Sequence, residues 1–156
     1  MEWSEERFHA AKQKAEATYG AQRSIHCPYF KQDIILNSDG FHHLQFSARR
    51  ERNKNEQFLK FSLLPLALKV IRASGTVQEY RKGLAPVGKK SHRGGFTPMK
   101  EVQYWGFVAI VGERQRKIRA ILRKVGDGNI TFWSVMPHGK IANGQQKLSA
   151  GGIEDE

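Results

Sequence analysis

Apolar and polar positions alternate in three runs near the end of the chain, which is the period of a strand with one buried face. The runs are VQYWGFVAIV at 102–111, KIRAILRKV at 117–125 and ITFWSVMP at 130–137. ERQR joins the first two, and GDGN joins the last two. Because Asp127-Gly128 is a strong hairpin signal, the pattern predicts an antiparallel meander.

Two earlier segments have the spacing of helices. Residues 4–19 begin with Ser4, a favourable N-cap, and are followed by Gly20. In residues 55–73 one apolar stripe has offsets of 4, 7 and 11, and it consists of Leu59, Leu63, Leu66 and Val70. Pro65 is expected to kink this second helix.

The remaining segments complete a predicted α+β fold over residues 1–137, in which two or three N-terminal helices pack on a twisted antiparallel sheet of about four strands. An extended run at 33–36 precedes a turn at 37–40, and TVQEY at 76–80 is the candidate fourth strand. Residues 81–100 contain six Lys or Arg and no acid, which predicts a mobile cationic loop. The polar, Gly-rich residues 138–156 are expected to form a flexible tail.

The charge indicates an anionic partner. Lys and Arg number 26 against 15 Asp and Glu, a net charge of +11, while 39% of residues are hydrophobic, as expected of a folded basic domain. No apolar stretch approaches the roughly 18 to 20 residues that a bilayer requires, so we expect a cytoplasmic protein without a membrane partner. Cys27 alone cannot form an internal disulfide, and without metal-ligand spacing we expect no metal or other cofactor.

The hairpin turns predict which residues share a face of the meander. With Asp127-Gly128 as the turn, paired residue numbers sum to 255, and with a turn centred on Arg114-Gln115 they sum to 229. One face then carries Tyr104, Arg119, Phe132, Arg123 and Ser134. The other is apolar and suited to the helices, with Trp105, Phe107, Ala109, Val111, Leu122, Trp133 and Val135. The first face fits a phosphate and a stacked base, although arginines on a solvated sheet face are equally typical of a surface that only keeps a protein soluble.

The stretch GFHHLQFSARRERN at 40–53 contains the candidate acid or base. Cleavage of RNA without a metal needs groups that take and give a proton, which histidine can do, and fixed cations for the phosphoryl charge. If the segment is extended, His42 is in step with Leu44 and Phe46, which favours His43 for the site. A helical start weakens that choice, and two polar residues at a helix N-terminus are the alternative.

Other cations and aromatic residues supply candidate substrate contacts. They are Arg49 and Arg50 beside the histidines, Tyr80, Arg81 and Lys82 after the long helix, Arg93 in the cationic loop, and Tyr104 and Thr131 on the sheet. A run of charges such as that at 49–54 is more often a solvated face, so the assignment rests on its closeness to the histidines.

The order of a histidine-bearing segment, a long helix, a cationic stretch and a meander ending in TFWSVMP resembles the barnase/EndoU/colicin/RelE-like superfamily of ribonucleases over residues 41–137. Its phage and toxin–antitoxin members look most similar. The resemblance implies a metal-independent endoribonuclease with helices on one face of a four-stranded sheet and the site on the other. Carried over, the family's histidine matches His43 or His42, its strand cations Arg119 and Arg123, and its last-strand hydroxyl Ser134, with Thr131 as the second choice.

The leading hypothesis is therefore a toxin-type endoribonuclease that cleaves RNA by 2′-OH attack and leaves a 2′,3′-cyclic phosphate. In it His43 acts as base or acid, Arg119 and Arg123 hold the phosphate, Ser134 donates to it, and Tyr80 or Tyr104 orients a base. An acidic antitoxin or immunity protein is the expected partner beside RNA. The alternatives are a non-catalytic RNA- or DNA-binding module and a metal-dependent DNA nuclease.

Overall fold

The computed structural model describes residues 4–47, 50–87, 95 and 97–138. Its helices agree with the predicted ones where the apolar stripe is clear. Helix α1 spans Glu5–Ala21, and Ser4 caps it by accepting a hydrogen bond from the Arg7 N–H. Helix α2 spans Ser38–Gln45, and helix α3 spans Lys54–Ala73 with Pro65 inside it.

Six strands form one sheet in the described part of the chain. They are β1 at Ser24–Cys27, β2 at Gln32–Ile35, β3 at Glu79–Pro86, β4 at Met99–Val111, β5 at Arg116–Val125 and β6 at Thr131–Pro137. The order across the sheet is β1-β2-β6-β5-β4-β3, and the β2–β6 pair is parallel while the others are antiparallel.

The predicted α+β class is confirmed, but the predicted sheet of about four antiparallel strands is wrong. The sheet has six strands and is mixed, and the helices are not all N-terminal because β1 and β2 lie between α1 and α2. Each of these two strands is only four residues long. An alternation that short falls below what a periodicity reading resolves.

Strand β3 corrects the predicted fourth strand at 76–80 and the predicted loop at 81–100. It begins at Glu79 and runs through the first six positions of that loop, and β4 takes the last two. Since β3 is an edge strand with almost every side chain exposed, nothing forces an apolar alternation on it. Its basic, Gly-containing and Pro-containing sequence therefore reads as a loop.

The β4–β5 register differs from the predicted one by two residues. Val111 pairs with Arg116, which makes the sum 227, because the connection is the four-residue turn 112–115, in which Gly112 and Gln115 have φ of 78° and 49°. A slip of two residues keeps every side chain on its predicted face. The neighbours change, so that Arg123 lies opposite Tyr104 and Arg119 opposite Val108.

The β5–β6 register agrees with the predicted sum of 255 as far as Ile121 and Ser134, and then shifts. Leu122 pairs with Phe132, which leaves Trp133 as one extra residue in β6. A bulge of this kind exchanges the faces on either side of it. The predicted faces of Phe132 and Trp133 are therefore wrong: Phe132 lies in the main core, and Trp133 lies on the arginine face.

The main core lies between the helices and one sheet face, where α3 contributes more buried side chains than any other element and α1 packs on α3. Burial of this apolar surface stabilises the fold and fixes which sheet face stays available. On the opposite face a small cluster of Ile121 and Met136 packs with Tyr104 and Trp133. Among the described residues no helix is long and apolar enough to cross a bilayer.

Candidate nucleic-acid interface

Four predicted site residues lie side by side across four neighbouring strands. Arg81 pairs with Tyr104, Tyr104 with Arg123, and Arg123 with Thr131. Residues that pair directly in antiparallel strands project from the same face, so these side chains form one line, which we call the cross-strand row. Arg81 is exposed and the other three are partly exposed.

Arg123 is held in place by aromatic rings. Its guanidinium carbon lies 4.1 Å from the ring centre of Trp133 and 5.9 Å from that of Tyr104. Its Nε is buried and has no hydrogen-bond partner among the described residues. The rings fix the position of the guanidinium without forming conventional hydrogen bonds with its N–H groups.

The Trp133 ring also contacts α2. It stacks on the imidazole of His43, with ring centroids 4.2 Å apart and planes 18° apart. Helix α2 can come this close because Gly40 has no side chain: a Cβ there would lie 2.4 Å from the carbonyl oxygen of Phe132. Two distant segments, α2 and the β5–β6 hairpin, therefore join His43, Trp133 and Arg123 into one group.

His43 is buried and bonded to Arg52. The Arg52 Nε donates to the His43 carbonyl over 3.0 Å, and its NH2 lies 3.1 Å from His43 Nε2. Because a guanidinium only donates, Nε2 acts as the acceptor and the imidazole is held in the tautomer protonated at Nδ1. The segment is helical rather than extended, and His42 is exposed and stacks on Phe46.

Two other residues assigned to chemistry are also engaged by the protein. Ser134 is fully buried, and its Oγ accepts a hydrogen bond of 2.8 Å from Lys60 Nζ, which also donates to the Val135 carbonyl over 3.0 Å. Arg119 is buried and forms an ion pair of 3.0 Å with Glu79. Neither side chain faces solvent as the chain is folded.

The remaining predicted contacts are scattered. Tyr80 pairs with Trp105 and therefore lies on the helix-bearing face, where its hydroxyl donates to Gln103. Lys82 forms an ion pair with Glu101, and Arg50 forms one with Glu56. Arg49 and Arg93 lie outside the described residues.

A cavity of about 180 Å³ opens at the Thr131 end of the cross-strand row and also borders Arg123. Its walls come from the N-terminal turn of α2, the β5–β6 turn and the start of β6. They are formed by Asn37, Asp39, Arg123, Val125, Gly128, Asn129, Thr131 and Trp133. In the part of the chain described here, no three His, Cys, Asp or Glu side chains come together as metal ligands.

Sequence reasoning missed the residues that organise this region. Lys60 and Arg52 are charged residues in buried positions. Lys60 is buried because it bonds to β6, and Arg52 because it bonds to His43 of α2. The sequence around Gly40 predicted a turn, but nothing in it indicated that Gly40 lies close to β6. Trp133 could be assigned to the arginine face only by knowing of the bulge.

No family model matches this chain, and neither a curated protein nor a solved structure is significantly similar to it.

Proposed function

We propose that this protein binds single-stranded RNA on the face that carries the cross-strand row. One observation carries the proposal: Arg81, Tyr104, Arg123 and Thr131 occupy directly paired positions on four adjacent strands. The row alternates fixed charge with an aromatic ring and a hydroxyl group. Proteins that bind unpaired nucleic acid combine these features, because cations follow the phosphates while bases stack on aromatic rings.

The dimensions and the net charge support this function. Three interstrand spacings of about 4.8 Å give the row a length of roughly 14 Å, enough for more than one nucleotide. The net charge of +11 supplies the long-range attraction that brings a polyanion to the surface. An extended sheet face does not enter the deep, narrow major groove of duplex RNA, which favours an unpaired strand.

The test is the affinity of the purified protein for a labelled, unstructured RNA. We expect Arg123→Gln to weaken binding by about tenfold or more, because the residue supplies charge-assisted donors within the row. Arg114→Gln is the matched control, since Arg114 is exposed in the β4–β5 turn at the other end of β5. Equal effects of the two substitutions would mean that only net charge attracts RNA, and the proposal would fail.

Endoribonuclease activity of the toxin type is the second candidate. The observation that favours it is the group in which α2 places His43 against Trp133, with Arg123 on the same ring. In such a reaction the 2′-oxygen bonds to phosphorus as the 5′-oxygen leaves, and one group accepts the 2′-proton while another protonates the leaving oxygen. For His43 to take part, Arg52 must first release Nε2.

Cleavage is tested with the same RNA in excess EDTA, beside a copy with a single 2′-deoxy sugar at the cut position and beside His43→Ala. An enzyme of this kind cuts only the all-ribose strand and loses turnover, but not affinity, in the variant. Binding without cutting assigns the protein to the non-catalytic class. We also propose an acidic protein partner, which would compete with RNA for the same cationic row.

A further inference from the structure

We propose that the cavity beside the cross-strand row binds one unpaired guanine of the RNA strand. This inference rests on the proposed RNA binding and adds to it a preference for one base. The cavity borders both Arg123 and Thr131, which belong to the row. A strand lying along the row can therefore turn one base out of its stack into the cavity.

The cavity has the size of a fragment. Its volume of about 180 Å³ is below the range of roughly 300 to 1,000 Å³ that is usual for sites of drug-sized ligands. A single base is small enough to enter, whereas a base pair is not. The specificity would then come from hydrogen bonds to the edges of that base.

Two opposite charges line the cavity and remain unpaired. Arg123 and Asp39 both line it, yet within the described residues neither forms an ion pair. The Arg123 guanidinium can offer N–H donors, and the Asp39 carboxylate can offer two acceptor oxygens. A ligand between them needs acceptors on one edge and donors on another.

Guanine is the base that meets both requirements. Its O6 and N7 form the edge to which arginine donates in a bidentate manner. Its N1–H and N2–H₂ are adjacent donors that match the two oxygens of one carboxylate. Adenine, cytosine and uracil each lack this pair of adjacent donors. The chemistry of the cavity therefore points to guanine.

The experiment compares the affinities of four short, labelled RNAs that are identical except for a central G, A, C or U. Free guanosine monophosphate is measured as well. We expect the G strand to bind at least tenfold more tightly than the other three, and Asp39→Asn to remove this difference, because an amide presents a donor to the guanine donors. Asp127→Asn is the matched control, since it makes the same change in the adjacent β5–β6 turn without lining the cavity.

Each outcome separates this inference from the function on which it rests. Equal binding of the four RNAs, still weakened by Arg123→Gln, overturns the guanine site and leaves RNA binding in place. If the protein binds guanosine monophosphate but not RNA, and Asp39→Asn loses this binding, the cavity is a site for a free guanine nucleotide and the proposed RNA binding fails. A G preference that survives Asp39→Asn also overturns the proposed role of this cavity.

Discussion

Lys60 of α3 donates a hydrogen bond from its buried Nζ to the Oγ of Ser134 on β6, over 2.8 Å. Ser134 has no exposed surface, so this bond ties the long helix to the last strand across the interior. The hydroxyl that the sequence suggests as a phosphate donor thus serves the fold in this structure, and its removal has consequences for stability.

Ser134→Ala is expected to destabilise the protein by about 1 to 3 kcal/mol, because the buried Lys60 ammonium loses an acceptor. Urea unfolding measures the change. Ser24→Ala removes an exposed hydroxyl and serves as the control, with an expected effect within roughly 0.5 kcal/mol. If Ser134→Ala left stability unchanged but lowered RNA affinity or cleavage, Ser134 would be a substrate contact after all.

Gly40→Ala is expected to destabilise the protein by about 1 to 3 kcal/mol, since the added Cβ meets a backbone oxygen that cannot move aside cheaply. Because α2 must shift away from β6, the stack of His43 on Trp133 should loosen as well. Gly20→Ala is the matched control: nothing lies within 4 Å of its Cβ position in α1. There the change should stabilise the helix by roughly 1 kcal/mol. Effects of the same sign at both glycines would contradict the close approach of α2 to β6.

Tyr19→Phe is expected to maintain or raise stability, because the Tyr19 hydroxyl is buried and has no hydrogen-bond partner among the residues that the structure describes. Burial also raises the pKa of Tyr19 above its ordinary value of 10.0. Above that pH the unfolded chain loses the phenol proton while the folded chain retains it. The ionisation of Tyr19 therefore leaves the free energy of unfolding unchanged below pH 10.0 and lowers it above pH 10.0. Unfolding free energies measured from pH 9 to 11 should fall less steeply in Tyr19→Phe than in the unsubstituted protein. An equal slope in the two proteins would contradict the burial of the Tyr19 hydroxyl.

Arg81→Gln and Tyr104→Leu should weaken RNA binding in distinguishable ways. Loss of a phosphate contact at Arg81 should reduce the slope of log K against log salt by about 0.7. Loss of the Tyr104 ring should cost about 1 to 3 kcal/mol of stacking with the slope unchanged. Affinities measured between low and moderate salt test both. A changed slope in Tyr104→Leu would mean that Arg123 loses a phosphate contact without this ring, and that the ring acts on binding through Arg123 and not by stacking on a base.

The sequence was sufficient for the elements with a strong internal period. The stripe through Leu63 and Val70 predicted α3, and the alternation after residue 102 predicted the meander. Both are local patterns imposed by burial on one side. Strand β1 was missed, and β2 was predicted only as an extended run at 33–36, because four residues carry too little periodicity. Strand β3 was placed too early in the chain because an exposed edge imposes no apolar pattern.

The candidate site was predictable only as far as the register was. A two-residue error between β4 and β5 kept Tyr104, Arg119 and Arg123 on one face. The bulge at Trp133 and the close approach of α2 to β6 at Gly40 depend on contacts between distant segments. No pattern in the local sequence predicts them. The hydrogen bonds of His43 with Arg52 and of Ser134 with Lys60 also depend on contacts between distant segments.

Trp133, the extra residue in β6, is not needed for the pairing of β5 with β6, but it determines which groups lie on the arginine face. A chain shortened by Trp133 alone would bring Ser134 and Phe132 next to each other, and both could retain their present partners, Ile121 and Leu122, in an unbroken ladder. The same fold would then lack the ring that holds Arg123 and touches His43. Gain or loss of one codon in this strand is therefore enough to add or remove the ring that organises the face proposed to bind RNA.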